Sequence, residues 1–199
     1  MSSKYNFYVG DVSIDAVLNK LGGIEGAKRF LRDEVEVVTK SINFPTFKTI
    51  KLGTLKDAKA IRKAIANAGG RISDWANDIM SKKEFTVAKK ETEVELVVAS
   101  VAELGFKGGA NYFDICERAK SLGLNLCPAE VGPQLRLQYT DQPKGEWLRI
   151  AMDPITASGG GLIVFDVEHD DGELWLRGSG GHPDDFWSGS NRFVFVRSK

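Results

Sequence analysis

The sequence predicts an α+β fold: a helical N-terminal region followed by a mainly antiparallel sheet domain with two helices. Three observations predict it. Apolar residues recur at helical spacing through most of residues 1–85. From Thr92 the pattern turns to alternation and then to continuous apolar runs, which is strand character. The dipeptide Asp171-Gly172 separates two of those runs and is the strongest hairpin signal in the chain. Residues 1–85 are therefore expected as a mainly helical, basic region. Residues 93–199 are expected as an α+β domain ending in an antiparallel meander, with the two parts free to pack as one unit.

Each element has a local reason. Ser13 can cap a helix that carries Ile14, Val17, Leu18 and Leu21 on one stripe, and Gly22-Gly23 stops it. Ile24, Ala27, Phe30 and Leu31 give a second short helix. A strand is expected from Val35, and residues 40–53, with Pro45, read as irregular or edge-like. Thr54-Leu55-Lys56-Asp57 resembles a capping box before a helix through Leu55, Ala58, Ile61, Ile65 and Ala68. Gly69-Gly70 ends that helix, and Ser73 caps the next, on which Trp75 and Ile79 share a face. A buried strand is expected near 93–102. NYFDICERAKSLG reads as a helix with Phe113, Cys116, Ala119 and Lys120 on or beside its inner face and Gly123 at its C-cap. PAEVGPQLRLQY reads as another helix, which Gly132-Pro133 weakens. WLRIAM, LIVFDVEH, ELWLR and RFVFV are the closing strands.

The bulk numbers bound the function. The chain has 199 residues, 42% hydrophobic and 27% charged, with a net charge of zero. That is ordinary for a soluble globule, and no apolar run reaches the roughly 18 residues a membrane span needs. The N-terminus has no apolar leader-like core, so a cytoplasmic protein without a membrane partner is expected. The charge is uneven. Residues 1–92 hold 17 Lys and Arg against 11 Asp and Glu, and residues 93–199 hold 10 against 16. The two cysteines, Cys116 and Cys127, have neither zinc-knuckle nor redox-pair spacing and read as buried, reduced thiols.

Candidate sites follow from residue type and spacing. GGHPDDFWSGS, from Gly180, places His182, Asp184, Asp185 and Trp187 in one glycine-rich loop. Pro-Asp-Asp is accounted for by turn chemistry, and Trp187 is the better recognition residue, since a flat ring buries area while polar neighbours orient a ligand. Glu168-His169-Asp170-Asp171 is expected at a hairpin tip. No EF-hand, zinc site, phosphate loop or nucleophile elbow is present, so no metal, cofactor or catalytic residue is expected. A basic helix face of Lys56, Lys59, Arg62 and Lys63, within region 48–71, could sit on phosphates. Residues 112–139 have helix–turn–helix-like spacing, but their second helix offers only Arg136 to a nucleic acid.

The runs LNKLGGIEGAKRFL, ISDWANDIM, VASVAELGF, LCPAEVGPQLRLQY, WLRIAMDPI and NRFVFVR occur in that order over nearly the whole chain. Together they resemble a recurring type of bacterial hypothetical protein. The resemblance implies a bacterial or mobile-element origin and one co-inherited architecture, and it brings no activity with it. The expected function is that of a non-enzymatic binding or accessory protein, recognising a protein or small molecule through the Trp187 loop. The alternatives are a nucleic-acid-associated protein using the 48–71 face and a carboxylate- and His182-dependent hydrolase.

Overall fold

The computed structural model describes residues 8–9, 12–35 and 43–198. Contacts divide the chain into two compact units, 1–41 and 42–199. The first contains strands β1 (Tyr8–Val9) and β2 (Val12–Ser13), paired antiparallel, and helices α1 (Ile14–Lys20) and α2 (Gly23–Leu31). Gly22 and Gly23 turn the chain between the helices with φ of 87° and 80°, values that only glycine adopts without strain. The strand expected from Val35 falls largely on residues 36–42, outside the described residues.

The second unit begins with β3 (Lys48–Leu52), α3 (Ala58–Asn67), β4 (Arg71–Ile72), α4 (Asp74–Ile79) and β5 (Thr92–Ser100). It continues with β6 (Ala110–Asn111), α5 (Tyr112–Ser121), β7 (Leu124–Asn125), α6 (Val131–Gln138), β8 (Trp147–Ile150) and β9 (Ile155–Thr156). It closes with β10 (Leu162–Asp170), β11 (Glu173–Gly180), β12 (Phe186–Trp187) and β13 (Arg192–Arg197). Nine of these strands form one mixed sheet, a half-barrel, in the order β3-β5-β13-β8-β10-β11-β4, with β7 on β13 and β9 on β10.

This corrects the predicted fold class. The sheet is not purely antiparallel, because β13 runs parallel to β8 and β4 parallel to β11. The helical N-terminal region is short, because β3 and β4 come from residues expected to precede the sheet. The physical reason lies in the last strand. Phe193, Val194 and Phe195 are all fully buried, so β13 needs cover on both faces and inserts between β5 and β8 instead of extending the meander. The hairpin signal, by contrast, is met. Asp171 and Gly172, at φ of 49° and 76°, form the two-residue turn joining β10 to β11.

Two layers of helix flank the sheet. On one face α6 lies against β10 and β3, α3 packs on α6, and α4 packs on β11 and β10. Asp57 caps α3 by accepting from Ala60 N at 2.7 Å, so that helix starts three residues later than a Thr54 cap would place it. Ser73 caps α4 through Ala76 N. Ala76 and Ile79 are the buried pair of α4, and Trp75 is 57% exposed. On the opposite face α5 covers β13, with the Tyr112 ring 5.9 Å from that of Phe193. Its buried residues are Tyr112, Ile115, Cys116 and Ala119. Phe113, expected inside, is 59% exposed.

Helix α6 is buried but polar. Glu130, just before it, accepts hydrogen bonds from Gly53 N and Ala88 N, both at 2.7 Å, and from Gln134 Nε2 at 3.0 Å. Gln138 Oε1 accepts from Lys51 N and its Nε2 donates to Lys51 O, at 2.9 and 2.8 Å. Arg136 donates to Gln142 Oε1 and to the carbonyls of Glu168 and Tyr139. Burial pushes its guanidinium down to about 10. Arg136 is therefore a core residue, and the helix–turn–helix reading, which needed it on the surface, is not met.

Candidate functional site on the open face of the sheet

Strand alternation decides what the second face of the sheet carries beyond α5. In β10, Ile163, Phe165 and Val167 point into the helical layer, where Gly132 of α6 lies against Phe165. Val164, Asp166, Glu168 and Asp170 therefore point the other way. Register then builds two rows. Arg149 of β8 and Arg177 of β11 stand on either side of Asp166. Trp147 and Trp175 stand on either side of Glu168. A Trp-Leu-Arg strand thus flanks Asp-Val-Glu on each side.

The two arginines have different surroundings. Arg177 Nε forms an ion pair with Glu168 Oε2 at 2.8 Å, its Nη2 reaches Asp170 Oδ2 at 3.2 Å, and its guanidinium lies 4.3 Å from the Trp175 ring centre. Arg149 is 8% exposed and, among the described residues, has no hydrogen bond and no ion pair. Its guanidinium lies 4.3 Å from the ring centre of Trp187 and 6.0 Å from that of Trp147. Stacking on indoles favours a cation but leaves its N–H groups without acceptors. Arg149 also lines an open cleft of about 560 Å³ with Lys144, Trp147, Asn191 and Arg192. Glu146 lines the same cleft, already held by Arg192 Nη1 at 2.7 Å and by the Tyr139 hydroxyl at 2.8 Å.

The acids between the arginines are 2% exposed each. Ser179 Oγ donates to Asp166 Oδ2. Burial raises the Asp166 carboxyl to about 6. Burial first, and the neighbouring Asp166 second, raise Glu168 to about 7. A carboxyl raised by folding binds its proton more tightly when folded, so its contribution is full below its ordinary pKa and is lost as pH rises through the folded value. Stability contributed by this pair should therefore fall between about pH 4 and 7. The double variant Asp166→Asn, Glu168→Gln should lose about 4 kcal/mol less than the parent between pH 5 and 8, read by urea unfolding. A parallel pH dependence of the two proteins would refute the assignment.

The residues singled out in the sequence fall in several places. His182 and Asp184 are exposed, and the contacts of His182 lie within its own turn: Asp185 Oδ2 accepts from His182 N at 2.8 Å, and His182 Nδ1 accepts from Asp184 N. Trp187 is half-buried, edge-on to Phe193 at 5.6 Å, and forms one wall around Arg149. Of the loop, then, Trp187 alone reaches the open-face cluster through a recorded contact. Lys59 and Lys63 are exposed on α3, in the helical layer, and Lys56 is exposed just before it. Arg62 is engaged, bonding Asn77 and Ser81 and so fastening α3 to α4. His169 Nδ1 meets Gln142 O at 2.6 Å. Cys116 and Cys127 are free and buried, and burial pushes both thiols up, Cys116 to about 11.

Arg149, Asp166 and Arg177 were not singled out from the sequence, Glu168 was read as part of a hairpin tip, and Trp147, read as a core residue, is 46% exposed; a signal for the cluster nevertheless exists. The tripeptide Trp-Leu-Arg occurs twice, at 147–149 and 175–177, and acids alternate with apolar residues at 166, 168 and 170. A strand with one apolar face and one acidic face announces an open sheet surface. No known protein family, characterised protein or solved structure matches this chain. No helix of the described residues is long and apolar enough to cross a membrane.

Proposed function

We propose that the chain is a non-enzymatic recognition module that captures an anionic group of its ligand at Arg149, in the cleft between residues 143–149 and 190–192. One observation carries this reading: an arginine 92% buried, flanked by two indoles, faces an open cleft with no carboxylate or carbonyl bonded to it. Asp166 and Glu168 of β10 attract this cation but do not hydrogen-bond it, so its N–H groups are left to bind an incoming anion. Lys144 adds to the positive rim, beside the ion pair of Arg192 with Glu146. The two free, buried thiols support a reducing, cytoplasmic setting.

With inorganic pyrophosphate as probe at low salt, the parent protein should melt at a higher temperature as the anion is added. Arg149→Gln should lose the response to pyrophosphate. Equal responses of parent and variant would overturn the proposal.

A further inference from the structure

The cleft holds a second feature that an anion alone does not use. Trp147 is 46% exposed at its wall, a large apolar ring left facing solvent on an otherwise polar rim. The Arg149 guanidinium lies 6.0 Å from the centre of that ring. The guanidinium also lies 4.3 Å from the ring centre of Trp187. The site therefore offers a flat stacking surface and a planar, doubly donating cation at one fixed separation.

We infer that the ligand is a nucleotide unit, its base stacked on Trp147 and its phosphate held by Arg149. The inference rests on the anion-binding reading above and adds the ligand's class. A nucleotide carries an aromatic plane and an anion a few bonds apart, on the scale of the indole–guanidinium spacing. The guanidinium fork matches two phosphate oxygens, to which Arg149, with no carboxylate hydrogen-bonded to it, is free to donate. Stacking on an indole is tolerant of base identity, so the site reads the class and not the letter. The cleft of about 560 Å³ fits one or two such units. Lys144 stands on the same cleft, where a neighbouring phosphate would lie. A free nucleotide and one residue of a single strand share this chemistry.

The test is titration of tryptophan fluorescence at low salt with three probes: inorganic pyrophosphate, adenosine monophosphate, and an eight-residue oligothymidylate. The variants are Trp147→Ala and Trp147→Phe, at an exposed position, and Arg149→Lys. Trp147→Ala should weaken a base-containing probe roughly 10-fold and leave pyrophosphate unchanged, and Trp147→Phe should restore most of the loss. Arg149→Lys should weaken all three, since it keeps charge and loses the fork. Tighter binding of oligothymidylate than of the mononucleotide, weakened by salt, assigns the site to single strands; equal binding assigns it to free nucleotides. Pyrophosphate binding as tightly as both, with no effect of Trp147→Ala, overturns the nucleotide assignment and leaves anion capture standing. Failure of all three probes to bind removes both.

Discussion

Glu130→Ala is expected to destabilise the protein by about 4 kcal/mol, the largest effect of any single truncation proposed for this chain. The carboxylate is 1% exposed and serves as acceptor for two backbone amides and one side-chain amide. These donors come from three separate places: Gly53 after β3, Ala88 before β5, and Gln134 in α6. Truncation leaves the amides of Gly53 and Ala88 without this acceptor in a part-buried site, while Gln134 Nε2 keeps Thr54 Oγ1 at 2.9 Å, and each orphaned donor costs about 1–3 kcal/mol. Gly53 also sits at φ of 70°, with the Lys90 carbonyl oxygen 2.5 Å from where a Cβ would stand, so the turn has no room to adjust. Urea denaturation checks the magnitude. Hydrogen exchange checks the cause: the amides of Gly53 and Ala88 should lose protection before the rest of the sheet. A loss below 1 kcal/mol, with both amides still protected, would show that the carboxylate is dispensable.

The second large effect is expected at Gly132, where alanine should cost about 3 kcal/mol. A Cβ there would lie 2.7 Å from Phe165 Cβ and 2.8 Å from its Cγ and Cδ2. Phe165 is fully buried and edge-on to Phe85 at 6.0 Å, so it has nowhere to go. The helix would have to lift from the sheet, pulling its polar contacts out of line. Thermal melting of Gly132→Ala gives the size of the loss. Alanine is the better helix former, so a neutral or stabilising result would mean that α6 does not press on Phe165.

Gly132 also shows why part of the fold was hard to see. Within an expected helix, Gly-Pro reads as a weakness. In place, Pro133 falls in the first turn of α6, where its missing N–H is harmless, and Gly132 is the contact point with the sheet. Local signals were legible wherever the cause is local: the Ser73 cap, the Gly69 and Gly123 stops, and the Asp171-Gly172 turn all stand as expected. Pairing across long separations was not. Nothing near Arg71 announces that its strand will lie parallel to β11 a hundred residues on, and nothing near Arg192 announces a place between β5 and β8. The candidate site was missed for the same reason. Trp147, Asp166 and Arg177 are ordinary strand residues taken one at a time, and they acquire meaning once three strands are in register.

The Gln138 amide has a consequence for what the sheet does not do. An open sheet of nine strands ends in two rows of main-chain groups through which another molecule's strand could continue it. At one end the terminal strand, β4, is two residues long, too short to template an addition. At the other, Gln138 occupies both the N–H and the carbonyl of Lys51, satisfying them as a tenth strand would. At Lys51 that margin is thus closed by one side-chain amide, held in place by the helix that also anchors the core.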